Sequence, residues 1–168
     1  MNLLFLLSKR LRESALGKRH ESLRTVLLKP WFEMAIVHRF ERKDFIPAPR
    51  VDVVMLRLRK RGPPLIHSAE RQCFRDFVVH IFTAWQPTLK SILKSIFTKQ
   101  QLKDIKRALG IEFDGTQTSL SFEQWLNLFE YFKAVGNKQA MQVILGSEKR
   151  LNQQQNGLQK IHRTRQNK

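Results

Sequence analysis

The stretch DFIPAPRVDVVMLRLRKR, residues 44–61, joins a Pro-x-Pro element to a run in which apolar and other residues alternate. Proline fixes its own φ angle, so two prolines around one alanine make a rigid turn. The alternation that follows predicts a strand over residues 51–60, because successive side chains in a strand point to opposite faces. The two predicted faces are Val54, Leu56 and Leu58, and Met55, Arg57 and Arg59.

The segment before this stretch predicts a second strand. WFEMAIVHRFE, residues 31–41, is aromatic and β-branched, and its alternation places Met34, Ile36 and His38 on one face. About ten residues separate the two strands, which favours an antiparallel pair with a structured connection. Further upstream, residues 11–28 predict two short helices around a basic loop.

Everything beyond the breaker cluster RGPPL, residues 61–65, is predicted to be helical. Ser68 is the predicted N-cap of the first helix, and Pro87 suits the first turn of the second. Capping boxes at Thr98 and Ser121 predict two more helix starts. The chain therefore divides into residues 1–62, a helical bundle over 63–136, and a Gln-rich basic tail over 137–168 that we expect to be disordered.

The charge of the chain indicates its class of partner. Thirty-one Lys and Arg residues against 14 Asp and Glu residues give a net charge of +17. A protein this basic most often binds nucleic acid, and a membrane surface or an acidic polysaccharide is the weaker alternative. The single Cys73 forms no disulfide within the chain and fits a reducing compartment. We expect that the first residues are not a signal peptide and that the protein is cytoplasmic, without a membrane partner. We also expect a monomer.

Spacing alone identifies no catalytic constellation. The seven glycines are too far apart for a G-x-G loop that would hold a phosphate or a cofactor. None of the five histidines has a partner at metal-ligand spacing, so we expect no metal. Composition and spacing therefore describe a basic binding module without visible chemistry.

A family resemblance adds to this interpretation. RKDFIPAPRVDV, residues 42–53, resembles the R-x-x-F-x-P-x-P-x-V-D-S segment of the rRNA adenine N6-dimethyltransferases. Upstream SKRLRE and WFEMAIVHRF, and downstream IFTKQQLKDIKRALGI, are also similar to segments of this superfamily. A Q-W-x-x-L-F pattern favours the Erm-type 23S rRNA methyltransferases over the housekeeping enzymes. This pattern falls on Gln124, Trp125, Leu128 and Phe129.

The resemblance implies a fold and a function. It implies an α/β remnant plus α: the last strands of a Rossmann-like methyltransferase sheet in residues 1–62, followed by an rRNA-binding helical bundle. The implied activity is methylation of 23S rRNA with S-adenosylmethionine as cofactor, which confers macrolide–lincosamide–streptogramin resistance. The residues implied to wall the pocket of the target adenine are Phe45, Pro47 and Pro49. The basic residues expected to contact rRNA phosphates are Lys9, Arg10, Arg12, Lys18, Arg19, Arg42, Lys43 and Arg50.

The sequence also departs from the family pattern. Val53 stands where the family has Ser, and the glycine-rich loop, the acidic ribose-binding strand end and the Asn-[Ile/Leu]-Pro-[Tyr/Phe] motif do not occur. S-adenosylmethionine is therefore implied by resemblance alone, and we expect a C-terminal portion that is inactive by itself. Two alternatives stay open: a non-enzymatic RNA-binding or ribosome-associated module, and an unstable truncation product. The second predicts that Met34, Ile36, Val54 and Leu56 lack sheet neighbours.

Overall fold

The computed structural model describes residues 2–7, 21–50 and 52–164 of the 168-residue chain. Its helices and strands, in chain order, are β1 (Asn2–Leu7), α1 (Leu23–Leu28), β2 (Phe32–Arg39), β3 (Val54–Lys60), α2 (Arg71–Thr83), α3 (Leu89–Leu93), α4 (Lys99–Leu109), α5 (Phe122–Val135), α6 (Lys138–Ile144) and α7 (Ser147–Thr164). Short 3₁₀ turns occupy Arg42–Asp44, Ser68–Glu70 and Gln117–Ser119. The architecture is an α/β fold in which helices predominate.

The strands form one sheet of order β1-β3-β2, in which β3 is antiparallel to both neighbours. This confirms the antiparallel pair predicted for β2 and β3. β1 was not predicted, because a short apolar run without alternation is ambiguous. β3 pairs on both sides, and Met34 and Ile36 pair with Leu58 and Leu56. The expectation that Met34, Ile36, Val54 and Leu56 lack sheet neighbours is therefore wrong.

A bulge in β2 corrects the predicted faces of that strand. Ile36 pairs with Leu56 but His38 pairs with Met55, so one extra residue, Val37, is inserted between the two pairs. His38 therefore lies on the face opposite to Met34 and Ile36. Strict alternation cannot anticipate a bulge, because the extra residue reverses every face that follows it.

β3 has the two faces that its sequence predicts. Val54, Leu56 and Leu58 are buried, whereas Arg57 and Arg59 are exposed. Leu56 and Leu58 pack with the partly buried Phe32, Met34 and Ile36 of β2.

The helix ends confirm most of the predicted caps. The Thr98 and Ser121 side chains each accept a hydrogen bond from the backbone N–H three residues on, and Gln101 and Gln124 return the bond to the cap N–H. Gly110 ends α4 at a φ of 59°, a left-handed conformation that glycine adopts without steric cost.

The predicted cap at Ser68 is wrong. The structure begins this region with a 3₁₀ turn, and Nδ1 of His67 accepts from the N–H of Ala69 at 3.3 Å. α2 itself begins at Arg71.

The predicted disorder after residue 136 is also wrong, because α6 and α7 occupy most of this segment. Ala140 and Ile144 are buried in the helical core, at the spacing of one helical turn. Two apolar anchors in a long polar segment are too few to give a visible periodicity. The polar contacts that attach Glu148 of α7 to α2, one ion pair and two hydrogen bonds, come from residues more than 70 positions earlier.

One large core unites the helices. Phe77 lies at its centre, with ring contacts to Trp125, Phe129 and Phe132. Val26 of α1 belongs to the same core, and the N–H of Glu21 donates to the carbonyl of Thr118 at 2.9 Å. α1 thus packs on the helical part although it precedes β2, and the division at residue 62 stays a prediction.

Candidate nucleic-acid interface

The connection from β2 to β3 is a compact loop, which we call the proline loop (residues 40–50, 52 and 53). Its two ends are joined where the N–H of Phe40 donates to the carbonyl of Val53 at 3.1 Å. Inside it, the N–H of Glu41 donates to Asp44 Oδ2 at 2.8 Å, which closes the 3₁₀ turn. The prolines then lead the chain back toward β3. This loop is the structured connection that the sequence predicts.

A cavity of about 240 Å³ lies inside the proline loop. The Phe45 ring is half-buried and stands 5.3 Å from the ring of Phe40, centroid to centroid. Pro49 also lines the cavity, whereas Pro47 is exposed and lies outside its lining. The structure therefore brings Phe45 and Pro49 together and leaves Pro47 aside. The complete lining is Phe40, Glu41, Arg42, Phe45, Pro49, Asp52 and Val53.

Two residues of this lining, Phe40 and Val53, lie outside the predicted adenine pocket. Phe40 supplies the second aromatic wall, and the ring of His38 packs edge-on against it at 4.6 Å. The sequence signal that could have identified Phe40 is its position at the end of the predicted strand, just before the R-x-x-F motif. Val53, which stands in the family's Ser position, gives the cavity an apolar wall in place of a hydroxyl.

The predicted basic residues are exposed wherever the structure describes them. Arg42 and Lys43 lie on the 3₁₀ turn and Arg50 follows the second proline. Lys43 Nζ lies 2.7 Å from a carboxylate oxygen of Glu41, and both side chains are largely exposed. The other five, Lys9, Arg10, Arg12, Lys18 and Arg19, lie outside the described residues.

The exposed face of the sheet carries further cations. Arg57 and Arg59 point away from the apolar face of β3, and Arg59 Nε donates to Glu33 Oε2 across the strand pair at 2.9 Å. The hydrogen bond from Arg59 lowers the pKa of Glu33. Glu33 therefore stays ionised and offsets part of the positive charge on this face.

The glycines do not form a cofactor cradle among the described residues. Gly110 and Gly146 have positive φ angles and follow the ends of α4 and α6. A Cβ at Gly115 or Gly136 would meet Ser119 Oγ at 2.7 Å or the Phe132 carbonyl at 2.5 Å, which are atoms of the chain itself. These residues do not fit S-adenosylmethionine.

Metal sites and membrane spans are both absent from the described part of the chain. No group of three or more His, Cys, Asp or Glu side chains there could hold a metal ion. No helix in the same residues is both long and apolar enough to cross a bilayer. Cys73 is half-buried, and burial raises the pKa of its thiol, so it is a poor nucleophile at neutral pH.

Comparison with known families assigns this chain to one of them. The family model described as ribosomal RNA adenine dimethylase matches residues 3–134, and the chain belongs to that family.

Individual relatives agree with this assignment. The chain is 29% identical over 106 residues to an rRNA adenine N-6-methyltransferase of Saccharopolyspora erythraea, covering 63% of this chain and 28% of that protein. It is 32% identical over 100 residues to an rRNA adenine N-6-methyltransferase of Bacillus licheniformis, covering 59% of this chain and 34% of that protein. The chain thus spans about a third of the length of these curated relatives.

A solved structure shows the same fold. The crystal structure of the 23S rRNA methyltransferase ErmE superposes with a TM-score of 0.67 at 24% identity, covering 79% of this chain and 55% of that chain. The resemblance to Erm-type enzymes drawn from the sequence is confirmed.

Proposed function

We propose that this chain supplies the target-adenine side of an Erm-type 23S rRNA adenine N6-methyltransferase. The observation that carries the proposal is the cavity between Phe40, Phe45 and Pro49, at the point where the family's proline motif enters β3. We propose S-adenosylmethionine as the methyl donor, and resistance to macrolide-type antibiotics as the consequence of methylation.

The cavity has the size and the walls that a single base requires. An adenine must leave its stack before its exocyclic nitrogen can be methylated, and an aromatic face replaces part of the lost stacking. Phe45 is the base-facing ring in this proposal, and Phe40 holds it by the tilted ring contact at 5.3 Å. The prolines keep the loop rigid, so little conformational entropy is lost when RNA binds.

The sheet supports a Rossmann-like origin. β1 and β2 are both antiparallel to β3, so they are parallel to each other, and α1 lies in the connection between them. Parallel strands joined through a helix are typical of doubly wound sheets, which often carry one antiparallel strand near an edge. We propose that these are the last strands of the methyltransferase sheet and that residues 63–136 form the rRNA-binding bundle.

Methyl transfer in this proposal requires a cofactor-binding part, which the described residues do not contain. Cofactor and adenine must be held in line at contact distance, and the described glycines do not fit the cofactor. We expect the chain alone to be inactive and to become active when a cofactor-binding half completes the sheet.

The test is complementation in trans. The chain is mixed with the N-terminal, cofactor-binding half of the Bacillus licheniformis relative, and methyl transfer from labelled S-adenosylmethionine to 23S rRNA is measured. We expect activity only in the mixture, with Phe45→Leu at least about tenfold slower because stacking is lost, and Phe45→Tyr close to wild type. Absence of methyl transfer in a mixture that forms a stable complex would overturn the proposal. A fully active Phe45→Leu variant would show that the cavity is not the adenine site.

A second candidate, a non-enzymatic RNA-binding module, is favoured by the net charge of +17. Phosphate contacts release counterions, so affinity for rRNA should fall steeply as salt rises from 50 to 200 mM. Both candidate functions predict this salt dependence. They differ in the complementation experiment, where only the methyltransferase predicts methyl transfer. Salt-dependent binding with no methylation under any combination supports the module.

A further inference from the structure

A second cavity, of about 320 Å³, lies between the end of α2, the loop after it, and α7. It shares no lining residue with the cavity in the proline loop. His80 and Trp85 line one side, and Arg150 and Gln154 of α7 line the other. Because the family model ends at residue 134, one wall of this cavity comes from a segment beyond the family match.

The α7 wall is fixed to α2 by a set of polar contacts. Arg75 Nε donates to Glu148 at 2.8 Å, and the side chain of Gln72 donates to the same carboxylate at 3.2 Å. The N–H of Glu148 donates to Asp76 Oδ1 at 2.9 Å, and Asp76 is buried. A carboxylate at the start of a helix also interacts favourably with the helix dipole. The cavity is therefore a built feature of the fold.

Trp85 is 89% exposed, which is unusual for the largest apolar side chain. The polar groups around the cavity are held in place by hydrogen bonds within the chain. His80 Nε2 lies 3.1 Å from Ser95 Oγ, and the Arg150 guanidinium is anchored on the Leu145 carbonyl and Ser147 Oγ at 2.8 and 2.7 Å.

The charge around the cavity selects an anionic ligand. No carboxylate is among the described residues that line it. Residues 137–168 contain seven Lys and Arg residues and one acidic residue, Glu148, which is paired with Arg75. Burial and the nearby Arg150 lower the pKa of His80, so its ring is neutral at pH 7 and can exchange hydrogen bonds with an uncharged base.

We propose that this cavity binds an unpaired RNA nucleotide, with the base stacked on Trp85 and a phosphate beside Arg150. An exposed aromatic face next to a cation is how proteins bind splayed-out bases of single-stranded RNA. The proposal rests on the proposed function only in taking RNA as the partner. In this proposal, the segment beyond the family match binds the RNA at a second point, distant from the target adenine.

The test compares two RNA probes with the full chain: a hairpin with an unpaired loop, and a fully paired duplex of equal length. We expect Trp85→Ala to weaken hairpin binding about tenfold and to leave duplex binding unchanged. Trp85→Phe should lie between wild type and Trp85→Ala, and Arg150→Gln should also weaken hairpin binding. Leu158→Ala is the matched control, because Leu158 is an exposed apolar residue of α7 outside the cavity lining.

The outcomes separate this proposal from the proposed function. If the chain binds both probes and Trp85→Ala behaves like Leu158→Ala, the nucleotide cavity is overturned while RNA binding stands. If the chain binds neither probe at low salt, both proposals fail. If the chain dimerises and Trp85→Ala dissociates the dimer, the cavity is a self-association surface and the RNA assignment is overturned. Circular dichroism of each variant confirms that an exposed substitution leaves the fold intact.

Discussion

The helical core and the proline loop use aromatic residues in opposite ways. Phe77 is fully buried and contacts three other rings, whereas Phe45 is half-buried and contacts one. The core ring stabilises the fold by removing apolar area from water. The loop ring instead lines a cavity. Stability and the proposed chemistry therefore reside in different parts of the chain.

This separation predicts that the two parts can be altered independently. The buried apolar faces of the helices should tolerate few substitutions, because protein interiors are packed as densely as organic crystals. The proline loop relies on backbone rigidity and on the Phe40–Val53 hydrogen bond, and it contributes little to the main core. Substitutions in the loop should change function at low cost to stability, and substitutions in the core should do the reverse.

The largest effect is expected for Phe77→Ala. Removing a fully buried ring that contacts Trp125, Phe129 and Phe132 should lower the free energy of unfolding by about 3–5 kcal/mol. Phe45→Ala, the matched aromatic truncation in the proline loop, should cost about 1 kcal/mol. Denaturant unfolding followed by circular dichroism measures both. Equal losses would contradict the separation of stability from the loop.

The next effect is expected for Glu148→Gln, which weakens the attachment of α7. The hydrogen bond from Arg75 lowers the pKa of Glu148 in the folded state. The pair therefore stabilises the fold above the unfolded pKa of about 4.3, and this contribution is lost as pH falls through the folded value. At pH 7 the variant should be about 1–3 kcal/mol less stable than wild type.

Thermal melts from pH 7 to pH 3 check whether the stabilisation by the Arg75–Glu148 pair is lost as the pH falls. The wild-type and Glu148→Gln curves should converge at the acid end, because the wild-type carboxyl is then protonated too. Curves that stay parallel throughout would mean that Glu148 does not act through its charge. Proteolysis after residue 146 gives an independent readout, since weaker docking exposes α7.

The sequence predicts local features of this fold well and distant ones poorly. β3 and the caps at Thr98 and Ser121 follow from periodicity and short-range hydrogen bonding, and the structure confirms them. The bulge at Val37 and the docking of α7 depend on partners elsewhere in the chain. No window of neighbouring residues contains that information.

The candidate sites show the same limit. Phe45 and Pro49 were identified through the family motif, and Phe40 joins them only when β2 and β3 pair. The cavity beside Trp85 was missed because its lining combines residues from three segments, one of which was expected to be disordered. An exposed Trp in a polar loop cannot be distinguished from a core Trp by its neighbours alone.

A smaller effect is expected at the N-terminus of α5. Ser121 Oγ accepts from the N–H of Gln124 at 3.1 Å, so Ser121→Ala removes a cap and should lower the free energy of unfolding by about 1 kcal/mol. Ser121→Asp keeps a cap acceptor and adds a favourable charge at the helix start, so it should restore the stability. If both variants lose equally, the hydroxyl is not acting as a cap.

The smallest effect is expected for Glu33→Gln on the sheet. Arg59 hydrogen-bonds to Glu33 and lowers its pKa, as Arg75 does for Glu148, but the Glu33–Arg59 pair is far more exposed. Water and salt screen an exposed pair, so the variant should melt at the same temperature as wild type at pH 7. A loss of stability at pH 7 as large as that expected for Glu148→Gln would contradict this expectation. The two ion pairs differ in burial, and Glu148 also accepts a hydrogen bond from Gln72. The contrast therefore tests whether burial, together with this added bond, decides which pair stabilises the fold.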